Sequence, residues 1–219
     1  MTSPNALNDC RLCAISAGQH AAEYDRPVVS DVNYFGMASV GGFIPGWALL
    51  CPRKHSHNLA SAYSDGSFHS AISLLVGAIF RAYGEAAIFE HGSISEGSKT
   101  ACGTSHAHLH VAPFGGTLAD IAVSTSTSLS WERIHLRNLA AAANGSEYLF
   151  VANRYGGPET VGQLARLEFP RSQFFRRLLA DYLRVPHLAN YRDAPLEEAS
   201  IATAVRLRAA VTCSSVRAA

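Results

Sequence analysis

Hydrophobic positions in this chain follow two rhythms. Phe68, Ala71, Ile72, Leu75, Val76, Ile79, Phe80 and Tyr83 recur every three or four residues, the spacing of a helix with one apolar stripe. They predict a helix over Phe68–Tyr83, capped by Ser64 or Asp65 and stopped at Gly84. In Thr104–Pro113 the period is two: Ala107, Leu109 and Val111 alternate with His106, His108 and His110. That predicts a strand with one apolar face and one row of imidazoles. Between Val28 and Cys51 the chain is apolar and β-prone, with turn material at Gly41-Gly42 and Pro45-Gly46. Two antiparallel strands are expected there, at about Asn33–Val40 and about Trp47–Pro52. Ala86–Gly92 reads as a short strand, joined to the histidine strand by a Gly- and Ser-rich loop. Loops of this kind offer N–H groups and hydroxyls to phosphate oxygens.

Past Thr117 the pattern is coarser. Residues 124–130 read as a polar loop, Glu132–Ala143 as a helix stopped by Asn144-Gly145, and Tyr148–Asn153 and Gln163–Phe169 as strands. Ser172–Leu183 reads as an amphipathic helix. Phe174, Phe175, Leu178, Leu179 and Tyr182 form its apolar face, and Arg171, Arg176, Arg177 and Arg184 a basic side, either solvated or a phosphate clamp. The last 20 residues suit a final helix or a frayed tail. Residues 1–116 and a C-terminal extension, 117–219, are expected to pack as one unit.

Composition narrows the classes. The chain has 219 residues, 48% hydrophobic, with a net charge of +1. This is enough for a core and lacks the dense basic stripe of a general nucleic-acid binder. No segment approaches the roughly 20 apolar residues of a membrane helix. Met1–Asn8 is polar, without the apolar run of a secretory leader, so a cytoplasmic protein is expected. Five cysteines argue against a disulfide framework. Cys51 and Cys102 read as buried small residues. Cys10 and Cys13, a Cys-x-x-Cys pair, can grip a metal, form a redox pair or simply be buried.

Three imidazoles on one strand face are costly as packing and useful as chemistry. His106-x-His108-x-His110 followed by apolar residues resembles the signature of the histidine triad family of nucleotide hydrolases and transferases. "PGWALLCPRKH", ending in His55, resembles the family's strand that enters the site. The resemblance covers residues 10–114. It implies an α+β fold: an antiparallel sheet of about five strands with a crossing helix, here followed by a C-terminal α/β extension. It implies transfer or hydrolysis of a nucleoside monophosphate group. His108 would attack the α-phosphorus to give a nucleotidyl-imidazole, and His110 would bond a phosphoryl oxygen or the leaving group. The galactose-1-phosphate uridylyltransferases and other zinc-bearing members look similar at Cys10, Cys13, His55 and His106. This is a Cys₂His₂ set suited to structural zinc, with His57 as an alternative to His55. "IFEHG" and "ACGTSH" also resemble that branch, although His110 stands where it usually has Gln. Dimers are common in the family, which implies a homodimer.

Two positions depart from the family pattern. Trp47 stands where a fourth active-site His is usual; it could stack a base or sugar, or be core. Glu90 replaces the usual Asn or Gln at a phosphate. Thr104 and Ser98 are candidate hydroxyl donors to phosphate. His91 lies near the site by strand logic. His20, His69, His135 and His187 read as structural or surface residues. The rivals are an enzyme on an atypical phosphate ester, a zinc-stabilised binding protein, and a metal oxygenase with His-x-His on a strand. The last lacks a following acid and would need His135, which falls in a predicted helix.

Overall fold

Eight strands form one antiparallel sheet: β1 Val29–Ser30, β2 Tyr34–Ala38, β3 Ala48–Pro52, β4 Ala86–Gly92, β5 Leu109–Pro113, β6 Trp131–His135, β7 Tyr148–Ala152 and β8 Val161–Arg166. Their spatial order is β1-β2-β3-β5-β4-β7-β8-β6. Among the described residues six α-helices accompany them: α1 Arg11–Ser16, α2 Gly66–Tyr83, α3 Leu118–Thr125, α4 Leu139–Ala143, α5 Phe174–Tyr182 and α6 Glu197–Ser215. The structure is a computed structural model describing residues 10–101 and 103–215. Met1–Asn8 and Cys102 lie outside the described residues. No described helix is long and apolar enough to cross a membrane.

The expected helix forms because its apolar stripe has a sheet to cover and its ends are closed. The Asp65 carboxylate accepts the Ser67 N–H at 2.9 Å, and Gly84 at φ +92° ends α2. Phe68, Ile72, Leu75 and Ile79 are fully buried, whereas Phe80, counted on that stripe, is exposed. On this face α2 meets Leu50, Ile88, Leu109, Val111 and Phe150, and Leu207 of α6 joins the same core. The opposite face carries Trp47, Ala87, Phe89, Ala112, Leu149 and Val151 under α3 and α5. Beside it α1 sets Leu12 and Ile15 on Phe35, Met37, Leu49 and Cys51. Cys51 is fully buried, as expected.

Three expectations need correction. The sheet has eight strands rather than about five, because β7 pairs with β4 and carries β8 and β6 into the same sheet. Residues 131–135 form a strand, not the start of a helix: they pair with 161–165 of β8, and within the expected span Leu136–Asn138 is a 3-10 turn and only Leu139–Ala143 is α-helical. In Trp131-Glu-Arg-Ile-His an edge-strand alternation, in which only Ile134 is buried, outweighed weak helix propensity. Leu118–Thr125, assigned no element or a loop, is a helix whose Leu118 and Ala122 are buried.

Candidate active site and metal-ligand cluster

Strand β5 starts at Leu109, so only His110 of the histidine row lies inside the ladder, opposite Phe89 on β4. The apolar row goes into the core as expected, with Ala107 at 4% exposure and Leu109 and Val111 at 0%. The histidines are themselves buried, and His108 and His110 face a cavity of about 650 Å³. Their rings are 4.7 Å apart.

The partners of each ring fix its tautomer. His108 Nδ1 lies 2.9 Å from the His106 carbonyl. A carbonyl only accepts, so Nδ1 carries the proton and Nε2 keeps its lone pair. His110 is the reverse. The Trp47 indole N–H donates to His110 Nδ1 at 3.1 Å. An indole can only donate, so the His110 proton sits on Nε2. That Nε2 is buried and has no hydrogen-bond partner among the described residues. His110 also stacks on Phe89 at 4.6 Å and 14°. Burial holds the pKa of His108 below the ordinary imidazole value and that of His110 well below it, so both rings are neutral near pH 7.

His91 lies behind this pair, its ring 5.7 Å from that of His110. Its Nε2 accepts the Phe175 N–H at 3.2 Å, and burial pushes its pKa down to about 3. His91 supports the site without lining the cavity.

His106 turns its Nε2–H to the Pro52 carbonyl at 2.7 Å. Its Nδ1 lone pair therefore faces Cys10 Sγ at 3.5 Å and Cys13 Sγ at 3.4 Å. His55 Nδ1 is 3.2 Å from Cys13 Sγ. All four donor atoms lie within 4.8 Å of one another. Around a tetrahedral zinc the S-to-N edges would be about 3.6 Å, so the donor set fits such an ion. Burial and the neighbouring Cys10 push the Cys13 thiol up to about 12, which leaves it protonated unless a cation joins the two sulfurs. Burial lowers the His106 pKa to about 4 and keeps that ring neutral for ligation. Glu96 Oε2 approaches His55 Nε2 to 3.5 Å, behind the ligating nitrogen. His57, the alternative ligand, instead sets Nδ1 3.2 Å from the Ser105 carbonyl.

The four substrate-contact candidates separate. Thr104 lines the cavity. Trp47 is buried at 1% exposure and does not reach it; its polar atom is taken by His110. Ser98 donates to Glu147 at 2.5 Å. Glu90 is on the other face of the sheet, among the residues under α2. It accepts the Leu59 N–H at 2.7 Å and the Tyr63 and Tyr148 hydroxyls at 2.8 Å each. Strand alternation explains this: Phe89 and His91 face the site, so Glu90 between them cannot. His135 is on β6, the far edge strand, which removes the ligand the oxygenase reading required.

Sequence patterning missed the cavity's outer wall. Tyr191, Arg192 and Pro195 line it, as do Tyr24 and Ser105. Arg176, grouped with a basic helix side, is 3% exposed and also lines it. Arg176 donates to the carbonyls of Gly41, Leu188 and Ala189 at 2.7, 3.3 and 3.0 Å. Arg171, Arg177 and Arg184 are exposed. No periodic pattern marks the 190–195 loop, so nothing in the sequence singled it out.

No protein-family model matches the sequence, and no curated protein matches it by sequence. Among solved structures the chain is similar to a Hit-like protein involved in cell-cycle regulation from Bartonella henselae, at 16% identity and a TM-score of 0.40, over 48% of this chain and 77% of that one. It is similar to a hypothetical histidine triad nucleotide-binding protein from Sulfolobus tokodaii, at 21% identity and 0.39, over 48% and 68%. A zinc-bound histidine triad family protein from Mycobacterium smegmatis is similar at 23% and 0.39, over 49% and 76%.

Proposed function

We propose that this chain is a nucleotide hydrolase or nucleotidyltransferase in which His108 attacks an α-phosphorus. The observation that carries the reading is the His108 ring at the cavity, its Nδ1–H held by the His106 carbonyl 2.9 Å away. This leaves Nε2 as a neutral, oriented nucleophile, which a two-step displacement requires. The His110 Nε2–H beside it is an unspent donor for a phosphoryl oxygen or for the leaving oxygen.

Cys10, Cys13, His55 and His106 would hold zinc as a structural ion. Bound there, zinc would supply fixed geometry, tying α1 to the residue that precedes the nucleophile by two. The two free thiols it needs suit a reducing compartment such as the cytoplasm.

The test is intact-protein mass spectrometry after brief mixing with a nucleoside phosphoramidate, a dinucleoside polyphosphate and UDP- and ADP-sugars. An acid-labile nucleoside monophosphate adduct is expected on the wild type and not on His108→Gly. The absence of both adduct and turnover, in folded metal-loaded protein, would refute the reading and leave a binding protein.

A further inference from the structure

We infer that His57 and Glu96, together with His55, form an outer cation site through which zinc passes to and from the inner set of Cys10, Cys13, His55 and His106. This rests on the reading that the inner set holds a structural ion, and it adds a second site with a different task.

Two loops bring the outer donors together. His55 and His57 follow β3, and Glu96 lies in the loop between β4 and β5. The Asn58 side-chain amide donates to the Ser93 carbonyl at 2.7 Å, and the Ser93 hydroxyl donates to the His57 carbonyl at 3.0 Å. Next to Glu96, the Gly97 N–H donates to the Ser105 hydroxyl oxygen at 2.9 Å. One donor atom each of His55, His57 and Glu96 then lies within 4.8 Å of the other two. Two imidazoles and a carboxylate suit a zinc ion that keeps an open position.

The two nitrogens of His55 serve different sides. Nδ1 lies 3.2 Å from Cys13 Sγ, in the inner set. Nε2 is buried, makes no hydrogen bond among the described residues, and has Glu96 Oε2 at 3.5 Å. His57 gives its Nδ1–H to the Ser105 carbonyl at 3.2 Å, which leaves the Nε2 lone pair for a cation. The outer set reaches solvent, because the Glu96 side chain is 49% exposed. Glu96, His55 and Cys10 border the same cavity, so both sets share one opening.

A neutral imidazole has one lone pair. His55 therefore serves the outer set through Nε2 or the inner set through Nδ1, and not both at once. The sets are successive stations on one path rather than a two-ion centre. Capture at the outer set releases no proton, since two imidazoles in their neutral forms and a carboxylate already present lone pairs. On transfer inward, Cys10 and Cys13 each release a thiol proton to solvent. His55 exchanges its Nδ1–H for an Nε2–H, which then faces the Glu96 carboxylate. Glu96 is a ligand at the first station and an acceptor that holds the ligating ring at the second.

The test is isotope exchange on the reduced, zinc-loaded full chain. The loaded protein is mixed with an excess of isotopically enriched zinc salt, desalted at intervals and read by elemental mass spectrometry. His57→Asn keeps a donor for the Ser105 carbonyl and removes the outer lone pair. Glu96→Gln keeps an acceptor for the His55 Nε2–H and removes the carboxylate. Each is expected to slow exchange at least tenfold, with affinity, from competition against a chelator, within threefold of wild type. A station that is empty at equilibrium changes the rates of entry and exit together and leaves their ratio alone. Residues that only brace the inner set would do the reverse: their loss weakens affinity and speeds exchange. Unchanged or faster exchange in either variant would overturn the inference and leave the structural-zinc reading standing. A second zinc bound as tightly as the first would also overturn it. Wild type that holds no zinc would refute the structural-zinc reading, and this inference with it.

Discussion

Glu90→Gln is expected to remove a pH-dependent loss of stability. Glu90 is 1% exposed, and burial raises its pKa from 4.5 to about 7, against the pull of the Leu59 N–H and the Tyr63 and Tyr148 hydroxyls. In the unfolded chain the carboxyl ionises near 4.5, and in the folded protein near 7. Between these values the unfolded state binds fewer protons, so stability falls as pH rises and levels off above 7. At about 1.4 kcal/mol per pKa unit the loss is about 3 kcal/mol. Gln stays neutral and can keep the Leu59 contact, while the two hydroxyls rotate to accept from its amide. The stability of Glu90→Gln relative to wild type should therefore rise by about 3 kcal/mol between pH 4.5 and 8. The assay is urea unfolding at half-unit pH steps on both proteins, with the midpoint difference read at constant m. Subtracting the two curves cancels the histidines that titrate in the same window. A flat difference, or one that favours wild type as pH rises, would refute the buried-acid argument.

Stripping metal with a chelator, or Cys13→Ser, should lower the melting temperature, and elemental analysis should show about one zinc per chain lost; unchanged melting would remove the structural-zinc reading. Leu207→Ala should cost about 2–5 kcal/mol in urea unfolding, because Leu207 is fully buried in the core that also holds α2. A loss below about 1 kcal/mol would mean that α6 packs more loosely than this.

The elements with a single strong period were legible before the fold was known. The α2 stripe, the apolar row of Ala107, Leu109 and Val111, and the strand into Cys51 each had one burial solution. Cys10, Cys13, His55 and His106, whose donor atoms lie close enough to hold a metal ion, were legible as a set, since thiols are scarce in this chain and the order of the four resembles a known pattern. Glu90 occupies a position that the family resemblance ties to phosphate, but strand alternation puts 89 and 91 on one face and 90 on the other. Trp47 showed only size and polarity, and its partner is 63 residues away. The 190–195 wall carries no periodicity, and its placement depends on contacts with Gly41 and Gly103 that no local pattern encodes.

These long-range contacts bear on whether residues 1–116 stand alone. On one face of β4, Glu90 takes one of its three hydrogen bonds from Tyr148 of β7. On the other, His91 Nε2 is satisfied by the N–H of Phe175 in α5. The edge of β4 pairs through five residues with β7, and the cavity wall at Tyr191 and Arg192 comes from still later in the chain. A chain cut at 116 would expose that edge, orphan a buried imidazole nitrogen and open the cavity. Each buried orphan costs about 1–3 kcal/mol, and exposing apolar residues such as Phe89 and Ile88 costs more at about 25 cal/mol per Å². Natural domains hold only about 5–15 kcal/mol in reserve. The 1–116 fragment is therefore expected to lack a cooperative melt and dispersed amide NMR signals, with or without zinc. A folded fragment that binds zinc and forms the His108 adduct would show that the extension is dispensable, and that the polar contacts across β4 contribute little.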